Sequence, residues 1–141
     1  MKKVKIEDLI ETGQVLMSEI IMDTASGLNE AHFVVKLDEI LKDRGLTQKE
    51  LSQMTGIRLG TVSEIVNGKN MSINKIQIFA IMYALRIKNW SEIFEIRLTD
   101  TLEKQFDADR DEWKRDNEMP ISVKEMYTQN ILKASGLNKK K

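Results

Sequence analysis

The chain has 141 residues, and its 41% hydrophobic and 31% charged residues exclude a disordered polar chain. The absence of cysteine excludes disulfides and thiolate metal sites, and no apolar run is long enough to span a membrane. The 22 basic and 22 acidic residues cancel, so the total charge does not by itself indicate a nucleic-acid partner. We therefore expect a cytoplasmic protein with one small domain and some additions.

The charges are distributed unevenly along the chain. Residues 33–98 carry ten basic and seven acidic side chains, a net of +3, whereas residues 1–32 carry three and six, a net of −3. Residues 99–141 carry nine of each. The small positive excess therefore lies in the central segment.

The N-terminal third is predicted to form two helices. In residues 5–24, spacings of three and four dominate between apolar residues, which predicts an amphipathic helix interrupted near Gly13. Residues 24–29 look like a break, and a second helix is predicted over residues 30–44, ended by Gly45. The apolar positions of the first helix are Ile6, Leu9, Ile10, Leu16, Met17, Ile20 and Ile21.

Residues 46–69 predict two short helices joined by a tight turn. Thr47 with Glu50 three residues later forms a capping box at the start of the first helix, which should end near Gly56. The second helix should run from about Arg58 to Asn67. This is the layout of a helix-turn-helix, a unit that lays its second helix in the DNA major groove.

Two further helices complete the central domain in this prediction. Ser72 is placed to cap a helix that ends near Arg86, and another helix is expected near Trp90–Leu98. No strand pattern stands out. The sequence therefore predicts an all-α fold, with five helices in the central domain.

The C-terminal third has a different composition. Residues 99–119 are highly charged, with Phe106 and Trp113 as their main large apolar side chains, seven residues apart. Ser122 with Glu125 suggests a second capping box that opens a helix to about Ser135, and residues 139–141 should form a frayed tail. We divide the chain into residues 1–29, an N-terminal helical extension; 30–98, the DNA-binding domain; and 99–141, a charged C-terminal helical extension for dimerisation or partner binding.

Five short motifs recur at fixed spacing through the central segment: Leu46-Thr47-Gln48, Glu50-Leu51-Ser52, Thr55-Gly56-Ile57, Thr61-Val62-Ser63 and Asn67-Gly68-Lys69. With these motifs, residues 33–98 resemble the Cro/CI-type helix-turn-helix domain, also called the XRE family, of phage repressors and many bacterial regulators. The resemblance implies a five-helix fold, operator binding as a homodimer and transcriptional control.

Carried over by position, the resemblance assigns two groups of DNA-contacting residues. Arg58 is the best candidate to contact guanine, because its fork matches O6 and N7. The predicted base-reading residues are Arg58, Leu59, Gly60, Thr61 and Glu64. The predicted phosphate-binding residues are Thr47, Gln48, Asn67, Lys69, Asn70 and Lys75.

Two departures from the family pattern concern base specificity and the core. Leu59 and Gly60 stand at positions that are often polar in the family. Leu41 and Val66 replace an arginine and a glutamate that are often paired there. A joint loss of both charges leaves no buried charge unpaired, so we expect these two side chains to touch.

The sequence offers no arrangement typical of an enzyme. His32 stands alone, and we expect no catalytic residues, metal or cofactor. We expect a sequence-specific transcriptional regulator, most simply a repressor of phage origin, that binds double-stranded operator DNA. The alternative is a protein-interaction module, such as an antitoxin or phage inhibitor, whose partner is a toxin or an antirepressor and whose helix-turn-helix is secondary or silent.

Overall fold

A computed structural model describes residues 1–13 and 17–136 of the chain. These residues form eight α-helices and a three-stranded antiparallel sheet. Two 3-10 turns, Ser26–Leu28 and Trp90–Glu92, precede the second and third strands. The elements in chain order are β1 (Lys2–Lys5), α1 (Ile6–Gly13), α2 (Glu19–Ala25), β2 (His32–Val35), α3 (Leu37–Asp43), α4 (Gln48–Thr55), α5 (Leu59–Asn67), α6 (Lys75–Leu85), β3 (Phe94–Arg97), α7 (Asp100–Asp116) and α8 (Ile121–Ser135).

The sheet contradicts the all-α prediction. Its strand order is β1-β2-β3, and Phe33 in the middle strand pairs with Val4 on one side and Ile96 on the other. Each strand has four residues, too short for alternation to stand out, and each finds its partner far away in sequence. The fold therefore combines the predicted helices with a sheet that joins the N-terminal segment to the central domain.

One predicted helix is wrong and another is only half right, because some of their residues form strands of this sheet. The helix expected over residues 30–44 begins only at Leu37, since His32–Val35 forms β2. The helix expected near Trp90–Leu98 is a 3-10 turn followed by β3. In both cases side chains expected on a helix face, such as Val35 and Phe94, pack from a strand instead.

The N-terminal helices follow the predicted interruption. The helix α1 ends at Gly13 and a separate helix α2 begins at Glu19, with the Ser18 side chain accepting a hydrogen bond from the Ile21 amide at 3.2 Å. The predicted apolar position Leu16 lies outside the described residues. The predicted tail at residues 139–141 lies outside them as well.

One buried cluster ties the central helices to the sheet. It contains apolar residues from β2, β3 and every α-helix between them, and both Leu41 and Val66 belong to it, at 3% and 2% exposure. Phe94 stacks on Phe33 with ring centroids 5.5 Å apart, and Trp90 lies 5.2 Å from Phe94. This core fixes the helix-turn-helix onto the sheet.

Two predicted helix caps are wrong. Asn74, not Ser72, caps α6, because its side-chain oxygen accepts a hydrogen bond from the Gln77 amide at 3.2 Å. The Ser122 hydroxyl donates to Asp109 of α7 at 3.1 Å, and α8 begins after Pro120 without a side-chain cap. The sequence pattern for a capping box is present at residues 122–125, but the Ser122 hydroxyl makes a tertiary hydrogen bond instead of capping the helix.

Candidate nucleic-acid interface

The first helix of the motif, α4, starts with the predicted capping box. Thr47 Oγ1 accepts a hydrogen bond from the Glu50 amide at 3.1 Å, and Glu50 Oε1 accepts one from the Thr47 amide at 3.0 Å. The Thr47 hydroxyl also donates to Glu50 Oε1 at 3.1 Å. The box thus fixes the start of α4 and occupies the Thr47 hydroxyl, while Gln48 lies half-buried beside it.

The turn between α4 and α5 is held by two side-chain hydroxyls. Gly56 ends α4 with φ of 81°, a conformation that glycine adopts without strain. The Ser52 hydroxyl donates to the Ile57 carbonyl, and Thr55 Oγ1 accepts a hydrogen bond from the Ile57 amide at 3.2 Å. These bonds set the direction in which α5 leaves the turn.

The second helix, α5, has one buried face and one exposed face. Val62, Ile65 and Val66 are at most 4% exposed and anchor the helix in the core. On the other side, the predicted base-reading residues are exposed apart from Thr61, which is half-buried. Leu59 is 48% exposed, and a Cβ added to Gly60 would meet nothing within 4 Å. The described terminal segments leave this outer face open.

The far end of α5 is closely packed. Gly68 ends the helix with φ of 71°, and a Cβ added there would lie 2.9 Å from Val35 Cγ2. After it, the Asn70 amide group donates to the Ser72 carbonyl at 2.9 Å and so braces the loop. Gly13, at the end of α1, is close enough to Met71 in the same loop that an added Cβ would lie 2.8 Å from Met71 Cε.

The remaining predicted phosphate contacts lie along the edge of this surface. Asn67 and Lys69 are exposed at the end of α5, and Lys75 is exposed at the start of α6. The structure therefore leaves these three side chains accessible to a ligand. Their role in DNA binding stays a prediction, as do the roles of Thr47, Gln48, Asn70 and the base-reading residues.

A depression of about 530 Å³ lies beside the start of α5. Arg58 and Thr61 line it from the motif, and Ile76, Gln77 and Ala80 line it from α6. Gln77 is a half-buried polar residue that the sequence analysis did not single out. Gln77 becomes a candidate DNA-contacting residue only through the fold, which places it beside the same depression as Arg58. The two residues are 19 positions apart in sequence, so no local pattern links them.

The described residues contain no group of three or more His, Cys, Asp and Glu side chains that could hold a metal ion. No helix in the described ranges is both long and apolar enough to cross a membrane.

Comparison with known proteins identifies the domain that carries this geometry. Residues 36–97 match the family model of the Cro/C1-type HTH DNA-binding domain. No curated protein and no solved structure matches the chain. The matched segment runs from the residue before α3 to the end of β3 and contains the whole motif. The match covers 62 of the 141 residues, so the similarity to this DNA-binding domain is shown for the central segment of the chain, as the sequence analysis expected.

Proposed function

We propose that the protein is a sequence-specific transcriptional repressor of phage origin that reads a double-stranded operator with α5 in the major groove. Arg58, Leu59, Gly60, Thr61 and Glu64 read base edges in this proposal, and the predicted phosphate contacts fix the register. Binding as a homodimer would let two copies of α5 read two half-sites about one DNA turn apart.

One observation carries this proposal: α5 has an exposed face directly opposite a buried one. Because Val62 and Ile65 fix the helix in the core, its outer side is held rigidly and stays open. The capping box and the hydroxyl-braced turn hold α4 at a set angle to it. A groove-reading helix needs such rigid support, since a base contact depends on accurate placement.

Selection of bound sequences from a random DNA pool tests the proposal. We expect a palindromic consensus with a guanine at the position that Arg58 contacts. Arg58→Ala should weaken binding to that site by about 1–3 kcal/mol and relax the preference for that guanine. Affinity for random DNA should fall less.

The matched control is Arg115→Ala, which removes an exposed arginine at the end of α7, far along the chain from the motif. It should leave both affinities near those of the parent. If no consensus emerges, or if Arg58→Ala binds consensus and random DNA as the parent does, the base-reading role is wrong.

A second candidate function is a protein-interaction module, such as an antitoxin or phage inhibitor with a silent helix-turn-helix. The observation that favours it is the surface of α5, where Leu59 exposes an apolar side chain and Gly60 offers none. Footprinting of the DNA upstream of the protein's own gene separates the two functions. Protection supports the repressor, whereas a co-purifying protein partner without protection supports the module.

A further inference from the structure

Helix α6 has apolar side chains on two opposite sides. One side is buried in the core, through Ile78, Ile81 and Leu85. On the other side, Ile76, Phe79 and Tyr83 are 73%, 54% and 76% exposed. A helix that is apolar all round is normally covered on all sides, so the outer side of α6 lacks the partner that its composition predicts.

The exposed side of α6 forms one wall of a groove of about 730 Å³. The last turn of α4 forms the other wall, where Met54 is 51% exposed. With about 150–250 Å² per aromatic side chain, the four exposed apolar residues offer roughly 500 Å². The largest apolar patch on a typical monomer measures about 300–600 Å², and patches of this size often serve a function.

Both ends of the exposed side of α6 carry a positive charge. Lys75 is exposed at the first end, and Arg86 follows Tyr83 at the other. Arg86 Cζ lies 4.6 Å from the centroid of the Tyr83 ring, and its Nη1 donates to the Tyr83 carbonyl at 2.8 Å. Helix α6 contains no acidic residue, and Arg86 is the one charged residue among the described residues that line the groove. The groove is therefore complementary to an apolar surface bordered by carboxylates.

We propose that this groove binds an acidic amphipathic helix of another protein. Apolar side chains at intervals of three and four on that helix contact Ile76, Phe79 and Tyr83, and its carboxylates pair with Lys75 and Arg86. Nucleic acid fits the groove less well, because phosphates gain nothing from apolar side chains. With roughly 500 Å² on each partner, the interface belongs to the small, transient class.

The groove adjoins the surface that is predicted to bind DNA. Thr55, Ile76 and Ala80 line both the groove and the depression that contains Arg58. Lys75 is also one of the predicted phosphate contacts. A helix that occupies the groove should therefore compete with DNA. This consequence, unlike the docking itself, rests on the proposed operator binding.

The first test uses two synthetic helical peptides of about 18 residues, or about five turns. One has leucine and phenylalanine at intervals of three and four and glutamate elsewhere, and its control has the same composition in scrambled order. NMR records the amide resonances of the full chain during each titration, without DNA. We expect the first peptide to shift the resonances of Ile76, Phe79 and Tyr83 with a Kd of about 100 μM, as a small interface implies. No shifts at about 1 mM peptide, or equal shifts with the scrambled peptide, overturn the proposal.

Substitution of one tyrosine locates the contact. Tyr83→Ser should weaken binding of the glutamate peptide about tenfold or more, as loss of a central aromatic side chain does at an interface. The matched control is Tyr127→Ser, which removes a tyrosine that is 52% exposed on α8. Because both side chains are exposed, both variants should keep the fold, which their amide spectra verify. Binding that is unchanged in Tyr83→Ser, or weakened equally in the control, overturns the proposal.

The charge of the partner is tested from both sides. Arg86 has φ of 57°, so Arg86→Asn removes the charge and keeps a residue that tolerates this left-handed backbone. It should weaken binding of the glutamate peptide about two- to fivefold, the size of an exposed charge pair. A third peptide, with lysine in place of glutamate, should bind more weakly than the glutamate peptide. Unchanged affinity in Arg86→Asn, or equal binding of the lysine peptide, contradicts an acidic partner.

Two further measurements test other occupants of the groove. If the groove binds a second copy, the full chain alone should self-associate in sedimentation, and Tyr83→Ser should abolish this. If it binds a membrane, vesicles of phosphatidylcholine and phosphatidylserine should shift the same amide resonances. Either result in place of peptide binding overturns the proposal.

Competition with DNA is measured separately. At a concentration ten times its Kd, the glutamate peptide should weaken binding of the selected operator about tenfold, as exclusive binding requires. The scrambled peptide should not. Unchanged operator affinity while the peptide occupies the groove overturns the competition. If the chain binds no operator, the proposed function fails, while the titration without DNA still decides the docking.

Discussion

Gly68 at the end of α5 packs directly against Val35 of β2. A Cβ added to Gly68 would lie 2.9 Å from Val35 Cγ2, and the backbone there has φ of 71°. Both the space and the backbone conformation require glycine at this position. The end of α5 is therefore fixed against the middle strand of the sheet.

Gly68→Ala should lower the free energy of unfolding by roughly 2–4 kcal/mol, through a left-handed alanine and a clash with Val35. Urea denaturation measures the loss. Gly56→Ala is the matched control, because Gly56 has φ of 81° but open space around its Cα. It should lose only about 1–2 kcal/mol. Equal losses in the two variants would show that the contact with Val35 does not matter.

Gly60→Ala should raise the free energy of unfolding and weaken DNA binding. Gly60 lies in the first turn of α5 with open space around it, so alanine should raise the free energy of unfolding by up to about 1 kcal/mol. If the backbone at Gly60 approaches DNA closely, the added methyl group should also weaken operator binding. Urea denaturation and a DNA-binding titration measure the two effects, and unchanged affinity would refute a close approach.

Lys75→Ala tests a phosphate contact. Each lysine that neutralises a phosphate releases counterions, so its loss should reduce the slope of log affinity against log salt by about 1. The effect should be similar for consensus and random DNA, since phosphates carry no sequence information. Lys104→Ala on α7 is the control and should keep the slope of the parent. A change in sequence preference in Lys75→Ala would contradict the phosphate assignment.

Glu92 should make stability depend on pH in the acidic range. Its carboxylate accepts hydrogen bonds from the amides of Asn89 and Lys88, both at 3.0 Å, and these hold the pKa of Glu92 below its ordinary value of 4.5. A lowered pKa in the folded state stabilises the fold above pH 4.5, and this contribution is lost as the pH falls through the folded pKa.

Glu92→Gln should therefore be less stable than the parent at neutral pH, and the difference should shrink below pH 4.5. Thermal unfolding at a series of pH values provides the comparison. Glu125→Gln, on exposed α8, should show a difference that stays small throughout. A Glu92→Gln deficit that does not shrink at all as the pH falls below 4.5 would mean that the amide contacts do not depend on the charge.

The motif could be predicted from the sequence because its determinants are local. The capping box at Thr47, the turn at Gly56 and the end of α5 at Gly68 each depend on residues within four positions, and the structure confirms all three. Arg58 is the predicted start of α5, and the structure places it at the N-cap position, with the helix itself beginning at Leu59. The base and phosphate contacts depend on a partner and stay predictions.

The sheet and the last two caps could not be predicted because they depend on distant residues. Phe33 has apolar neighbours at helical spacing, yet its pairing with Val4 and Ile96 makes it a strand residue. Ser122 has the sequence context of a cap, yet Asp109 from the preceding helix binds its hydroxyl. Local preference is weak for four-residue strands, so long-range pairing determines their structure.

The sheet has a practical consequence for any attempt to isolate the DNA-binding unit. The family match begins at Lys36, one residue after β2, while β3 lies inside it. A fragment cut at those limits would keep β3 with no neighbour and would remove Phe33 from the ring of Phe94. Such a bare strand invites aggregation, so a workable fragment must include β2, and β1 as well if β2 is to keep both of its neighbours.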